Sequence, residues 1–130
     1  MKIILTKEQI NNFPIHDASI HSFSFIQNSD GRVDVVSDIK ITDDSYECGY
    51  VIPQQDGITK LFFKNCWWIK NEFNCDASNR DSFFSLVLLE NSKKLSEIKS
   101  RGRESHLYHY QLKLNSGSQL DIIAEEVNLQ

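Results

Sequence analysis

Two histidines and an aspartate fall within six positions in HDASIH, residues 16 to 21, between Pro14 and a run of alternating aromatics. Imidazole and carboxylate are good ligands for divalent ions, so His16, Asp17 and His21 could serve a small metal-dependent hydrolase. Backbone geometry opposes that reading. Strand side chains alternate between faces, so Asp17 and His21 share one while His16 points away unless the chain still bends there. His106 and His109, three apart, oppose each other for the same reason. The alternative is structural: just past a helix stop, the Asp17 carboxylate accepts nearby backbone N–H groups and His16 bonds a carbonyl, fixing how the first long strand enters its sheet. The expectation is a structural motif at His16 and Asp17, with no catalytic residue, metal or cofactor.

Other chemistries are no better supplied. Cys48, Cys66 and Cys75 form no C-x-x-C pair, their odd number leaves a thiol over, and strand cysteines usually behave as small buried hydrophobes. A reduced, cytoplasmic setting follows. The chain holds no G-x-S-x-G elbow, phosphate loop or dinucleotide fingerprint. Asp43-Asp44 and Glu125-Glu126 are sequence neighbours whose side chains diverge in extended backbone, which disfavours paired-carboxylate catalysis. Adjacent Trp67 and Trp68 put one indole in the core and the other outside, where it anchors a partner or is covered by a loop or a second copy of the chain. An enzyme is not expected.

The elements that position these residues are mostly strands. Thr6 followed by Gln9 is a capping-box spacing and predicts one short helix over 7–12, stopped by Pro14. From Ala18 to Ile26 the alternation places Phe23 and Phe25 on one face, with Ile20 and Ile26 on the other. Asp30-Gly31 turns the chain into RVDVVSDIKI, with Val33, Val35, Ile39 and Ile41 inward and Asp34, Asp38 and Lys40 outward. Further strands are expected over 46–52, 58–64 (continuing into NCWWIK) and 82–89. NSKKLSEIKSRGR could make a helical turn or two on Leu95 and Ile98 before Gly102, but its polarity favours an exposed loop. Tyr108, Tyr110, Leu112 and Leu114 alternate against His109, Gln111 and Lys113, and the return strand puts Leu120, Ile122 and Ala124 on one face. A mainly β fold follows: an antiparallel sandwich or half-open barrel of about seven strands with one short N-terminal helix.

Length and composition agree. The 130 residues, 40% hydrophobic and 25% charged, form one domain over 1–130 with no repeat or linker. A formal charge of −4 argues against nucleic acid and permits a basic protein partner. Met1 to Leu5 falls short of a secretory apolar core, and no run reaches the length of a spanning helix.

The stretch F-P-I-H-D-A-S-I, Phe13 to Ile20, resembles the aromatic-P-x-F-H-D-A-x-V/I opening of small bacterial immunity proteins of polymorphic toxin systems, the immunity protein 50 type. LFFKNCWWIKNEFN, ending in Phe73 and Asn74, resembles a later strand of that group, and YHYQLKLNSGSQLDIIAEEVNL is similar in layout to its close. Asn12 and Ile15 depart from the pattern, and 79–105 has no counterpart in it. The resemblance implies a cytoplasmic protein that binds a cognate toxin and blocks it without catalysis, the HDA residues serving folding rather than contact. Charge complementarity then nominates Asp43, Asp44 and Glu47, with Trp68, as a surface for a basic effector. A homodimer joined at a sheet edge is the other expected assembly.

Overall fold

The computed structural model describes residues 2–42, 49–72, 82–101 and 106–130. Strand β1 (Ile3–Ile4) leads to helix α1 (Lys7–Asn11), then to β2 (Ser19–Gln27) and β3 (Val33–Lys40). Next come β4 (Thr59–Cys66), β5 (Trp68–Glu72) and β6 (Phe83–Leu89), helix α2 (Lys93–Ser100), and finally β7 (Tyr108–Leu114), β8 (Gln119–Ala124) and β9 (Glu126–Leu129). They form two antiparallel sheets, β1-β9-β4-β3-β2 and β5-β8-β7-β6, which do not close into a barrel. The mainly β architecture is as the sequence predicts. No described helix is long and apolar enough to cross a membrane.

The described residues form nine strands rather than about seven: two long strands break as they pass from one sheet to the other, and β1 is added while 49–52 forms none. The β4–β5 strand bends at Asn65 to Trp67 and the β8–β9 strand at Glu125. Asn65 takes a left-handed φ of 52°, and the bent pair is held by Trp67 N–H to Ile123 O at 2.7 Å and Glu125 N–H to Lys64 O at 3.0 Å. Asparagine tolerates that backbone region better than most residues. No strand forms over 49–52, the described part of the one expected there, while 46–48 lie outside the described residues.

The capping box forms as spelled: Gln9 N–H donates to Thr6 Oγ1 at 3.3 Å, and Thr6 N–H donates to Gln9 Oε1 at 3.0 Å. Strand β2 corrects the strict alternation. A bulge between Ile20 and Ser22 shifts the register, so Ile20 and Phe23 both pack against the core. Val35 and Ile39 of β3 point inward as expected and join Leu61, Phe63, Leu112, Leu120, Ile122 and Val127, all fully buried between the sheets, but Val33 is only half-buried and the outward Val36 is buried as well. Each fully buried side chain contributes about 1.5–3 kcal/mol by leaving water. Tyr108, read as inward, is 43% exposed at the start of its strand, whereas Tyr110 is buried.

Residues 93–100 form a helix rather than a loop. Ser92 caps it by accepting Leu95 N–H at 3.0 Å, and Leu95 and Ile98, three apart, face the outer side of the second sheet. There they join Trp67, Trp68, Leu107 and Ile123 in a second apolar cluster. Ile123 points away from the main core yet is fully buried, because α2 covers it.

Candidate functional site

HDASIH lies where the two sheets meet. Asp17 takes a left-handed φ of 62°, a conformation that suits aspartate more readily than most side chains. Its N–H donates to Phe83 O at 2.8 Å, and its carboxylate accepts the Asn115 side-chain amide at 3.1 Å. Its carbonyl accepts Thr42 Oγ1 at 3.0 Å. Beside it, His16 Nδ1 lies 3.3 Å from Phe84 O and its ring meets Phe84 edge-on. The pair thus contacts the first residues of β6, the chain just after β3 and the β7–β8 turn, and the antiparallel bridge Ser19–Ser82 follows at once. The carboxylate's partner is a side-chain amide rather than the expected backbone N–H groups. His16 Nε2 and Asp17 Oδ2 are 3.4 Å apart, His21 is exposed on β2, and no three His, Cys, Asp or Glu side chains converge among the described residues.

The tryptophans are not split between core and solvent. The break before β5 turns Trp67 and Trp68 toward the same cluster under α2, and both are half-buried. Trp67 carries the Arg32 guanidinium 4.9 Å from its ring centroid; Trp68 carries the Lys94 ammonium at 5.4 Å and the His109 ring at 5.9 Å. Trp68 therefore belongs largely to the α2 contact rather than to a free surface. Asp43, Asp44 and Glu47, nominated with it, lie outside the described residues.

Two polar networks escaped the sequence reading. At the bend, Asp34 is 3% exposed. It accepts Lys64 Nζ at 2.6 Å, Asn65 N–H at 2.9 Å and Asn28 Nδ2 at 3.2 Å. Burial alone would raise its carboxyl, but these hydrogen bonds and the Lys64 charge hold it below the ordinary value. Asn65 continues the network to Glu125, which also accepts Arg32 at 3.0 Å. The outward position given to Asp34 is right in direction and wrong in exposure, because Lys64 and the Asn65 bend cover it.

The second network lies beneath α2. Ser92 Oγ is 2.6 Å from His109 Nδ1, and His109 Nε2 is 2.8 Å from Asp121 Oδ1. Asp121 also accepts Gln111 at 3.1 Å and Gln119 at 2.8 Å. Burial would push this carboxyl up as well; the hydrogen bonds from Gln119, His109 and Gln111, joined by the attraction of the His109 ring whenever it is protonated, bring it below the ordinary value. Ser92 is 8% exposed and His109 6%. Register supplies the signal that could have found them: Gln111 pairs with Asp121 and His109 with Ile123, so His109 and Asp121 are diagonal neighbours on one face. Ser92 needed the helix to be recognised first.

No family model, curated protein or solved structure matches the chain.

Proposed function

We propose that this chain is an immunity-type binding protein that neutralises a bacterial toxin by direct contact, in the cytoplasm of the cell that makes it. The motif F-P-I-H-D-A-S-I supports the family reading, since its residues knit the start of β2 to β6. The observation that carries the binding reading is β2 itself. This nine-residue strand, SIHSFSFIQ, stands at a sheet edge with no charged residue and no proline. Beyond the Ser19–Ser82 bridge no described strand pairs with its outer edge, and Phe25 and Ile26 are 52% and 47% exposed.

Edge strands normally carry lysine, proline or a short span to discourage pairing with other chains. The opposite edges of this protein do so: β1 has two residues, and β5 carries Lys70 and Glu72, while β6, the remaining edge, is uncharged like β2 and meets it at the Ser19–Ser82 bridge. A long uncharged edge suits strand addition, in which backbone N–H and C=O groups supply affinity and alternate side chains supply selectivity.

Co-expression with candidate toxin domains, taken first from any reading frame adjoining this chain's own, tests the reading. Wild type is expected to protect cells and to co-purify with the toxin, and failure of both rejects the function. Phe25→Lys and Ile26→Lys replace exposed side chains, so they are expected to keep the fold and lose the complex. Full protection by both variants moves the contact off β2. A stable dimer of the chain alone, abolished by the same variants, assigns the edge to a second copy instead.

A further inference from the structure

We propose that Ser92, His109 and Asp121 form a hydrolytic site for short-chain acyl esters, an activity separate from partner binding at β2. The proton positions follow from the partners. Asp121 as a carboxylate can only accept, so the hydrogen lies on His109 Nε2, 2.8 Å away. Nδ1 of that neutral ring then accepts the Ser92 hydroxyl proton across 2.6 Å, while Ser92 Oγ accepts Leu95 N–H at 3.0 Å. Every donor in the chain points the same way, from helix to hydroxyl to imidazole to carboxylate. A hydroxyl held by a base that is in turn oriented by a carboxylate is the arrangement of nucleophilic acyl transfer.

The surroundings suit the roles. Gln111 and Gln119 fix the Asp121 carboxylate, and the Trp68 ring stands edge-on to the imidazole, so its plane is set from several sides. Buried among them, His109 has little water to compete for its hydrogen bonds. Ser92 borders an open cleft of about 580 Å³ lined also by Asn91, Lys93 and Ser96, with no aliphatic or aromatic side chain among its lining residues. Such a cleft offers a long fatty chain nothing to pack against, which favours a small acyl group. With Leu95 N–H committed to the Ser92 oxygen, the Lys93 and Lys94 amides of the same first turn, which an α-helix leaves without intrahelical acceptors, are the donors proposed for an oxyanion.

In the reaction Ser92 Oγ bonds to the ester carbonyl carbon and its proton passes to His109 Nδ1, giving an imidazolium paired with Asp121. The tetrahedral intermediate collapses by breaking the bond to the alcohol oxygen, which leaves with the proton from Nδ1. Water then attacks the acyl-serine, giving its proton to Nδ1. The Ser92–acyl bond breaks, Ser92 recovers the proton, and a carboxylic acid departs.

The full chain, treated with a fluorophosphonate and digested for mass spectrometry, tests the site with p-nitrophenyl acetate turnover as a second readout. In wild type the adduct is expected on Ser92 at least about tenfold faster than on Ser96 or Ser100 of the same helix, a comparison that needs no variant. His109→Gln keeps a hydrogen-bonding side chain and is expected to slow labelling and turnover by about a hundredfold, with loss of the pH dependence. Ser92→Gly keeps a tolerated helix cap and is expected to lose the adduct and the turnover together. An unlabelled Ser92, equal labelling along the helix, or His109→Gln reacting at the wild-type rate each overturns the site. A chain that binds its toxin with an inert Ser92 leaves the strand-edge reading standing.

Discussion

Asp34 and Asp121 are both withdrawn from water on the outer side of a β-strand, both accept three side-chain or backbone donors, and both are held below the ordinary carboxyl value. They differ in what stands behind the donors. Asp34 faces Lys64, a permanent cation, and its network runs on to Asn65, Glu125 and Arg32, where acids and bases balance. Asp121 faces His109, whose second nitrogen leads to a hydroxyl at a cleft. A saturated ion pair fixes a bend; an imidazole between a carboxylate and a hydroxyl leaves a proton that can move.

The largest expected effect tests the fixed half. Asp34→Ala strands the Lys64 ammonium, the Asn65 N–H and the Asn28 amide at the point where β4 turns into β5. Because Lys64 keeps about a third of its side chain in water and can swing outward, the loss should sit at the low end for a broken buried pair, about 3 kcal/mol in urea unfolding. Asp121→Ala leaves glutamine amides that can rotate and an imidazole that can stay neutral, so about 1–2 kcal/mol is expected. Reversal of that order removes the distinction between the two sites.

Acid titration comes next. A carboxyl whose folded pKa is depressed binds its proton more readily in the unfolded chain, so its contribution to stability is fully present above the unfolded value near 3.8 and is lost as pH falls through the folded value. Stability of wild type is therefore expected to fall with decreasing pH below about 4, and Asp34→Asn and Asp121→Asn should each flatten that slope. An unchanged slope in either variant means that its carboxyl is not depressed.

Ser92 gives a smaller effect. Replacing an N-cap serine by alanine costs about 1 kcal/mol, and replacing it by glycine a few tenths. Thermal melts are expected to show that order in Ser92→Ala and Ser92→Gly. A glycine variant as destabilised as the alanine one would show that the His109 bond, rather than the cap, is what holds α2 to the sheet.

Much of this was readable from local patterns. The capping box, the β2–β3 hairpin, the inward set of β8 and that of β7 from Tyr110 onward follow from side-chain spacing alone. Helix α2, readable as a turn or two on Leu95 and Ile98, was set aside for a loop because of its polarity; those two are its apolar contacts with the sheet, and what makes them sufficient is the Trp67, Trp68 and Ile123 surface brought from elsewhere in the chain. Bulges defeated parity at Ile20 and at the tryptophan pair, since one extra residue reverses every later side chain. Asp34–Lys64 joins positions 30 residues apart and has no spacing to recognise, whereas His109–Asp121 lies across the β7–β8 hairpin, where only the register was needed to place the two on one face; Ser92 comes from a helix read as a loop. The HDA contacts to Phe83 and Asn115 are hidden in the same way as Asp34–Lys64.

Cys66 offers the finest probe of the Asp34 bend. Burial pushes its thiol up to about 12; the Val35 N–H lowers it, Asp34 raises it and Lys64 lowers it. With the thiolate as the reactive species, alkylation of native Cys66 at pH 8 is expected to run about a thousandfold below that of the unfolded chain, followed on its own peptide by mass spectrometry. Asp34→Asn removes a nearby negative charge and should speed the reaction severalfold, whereas Lys64→Met removes the compensating positive charge and should slow it. Opening of the bend would speed both. Opposite responses therefore mean that the two charges act on a bend that stays closed, and a faster Lys64→Met means that the ion pair serves chiefly to keep it shut.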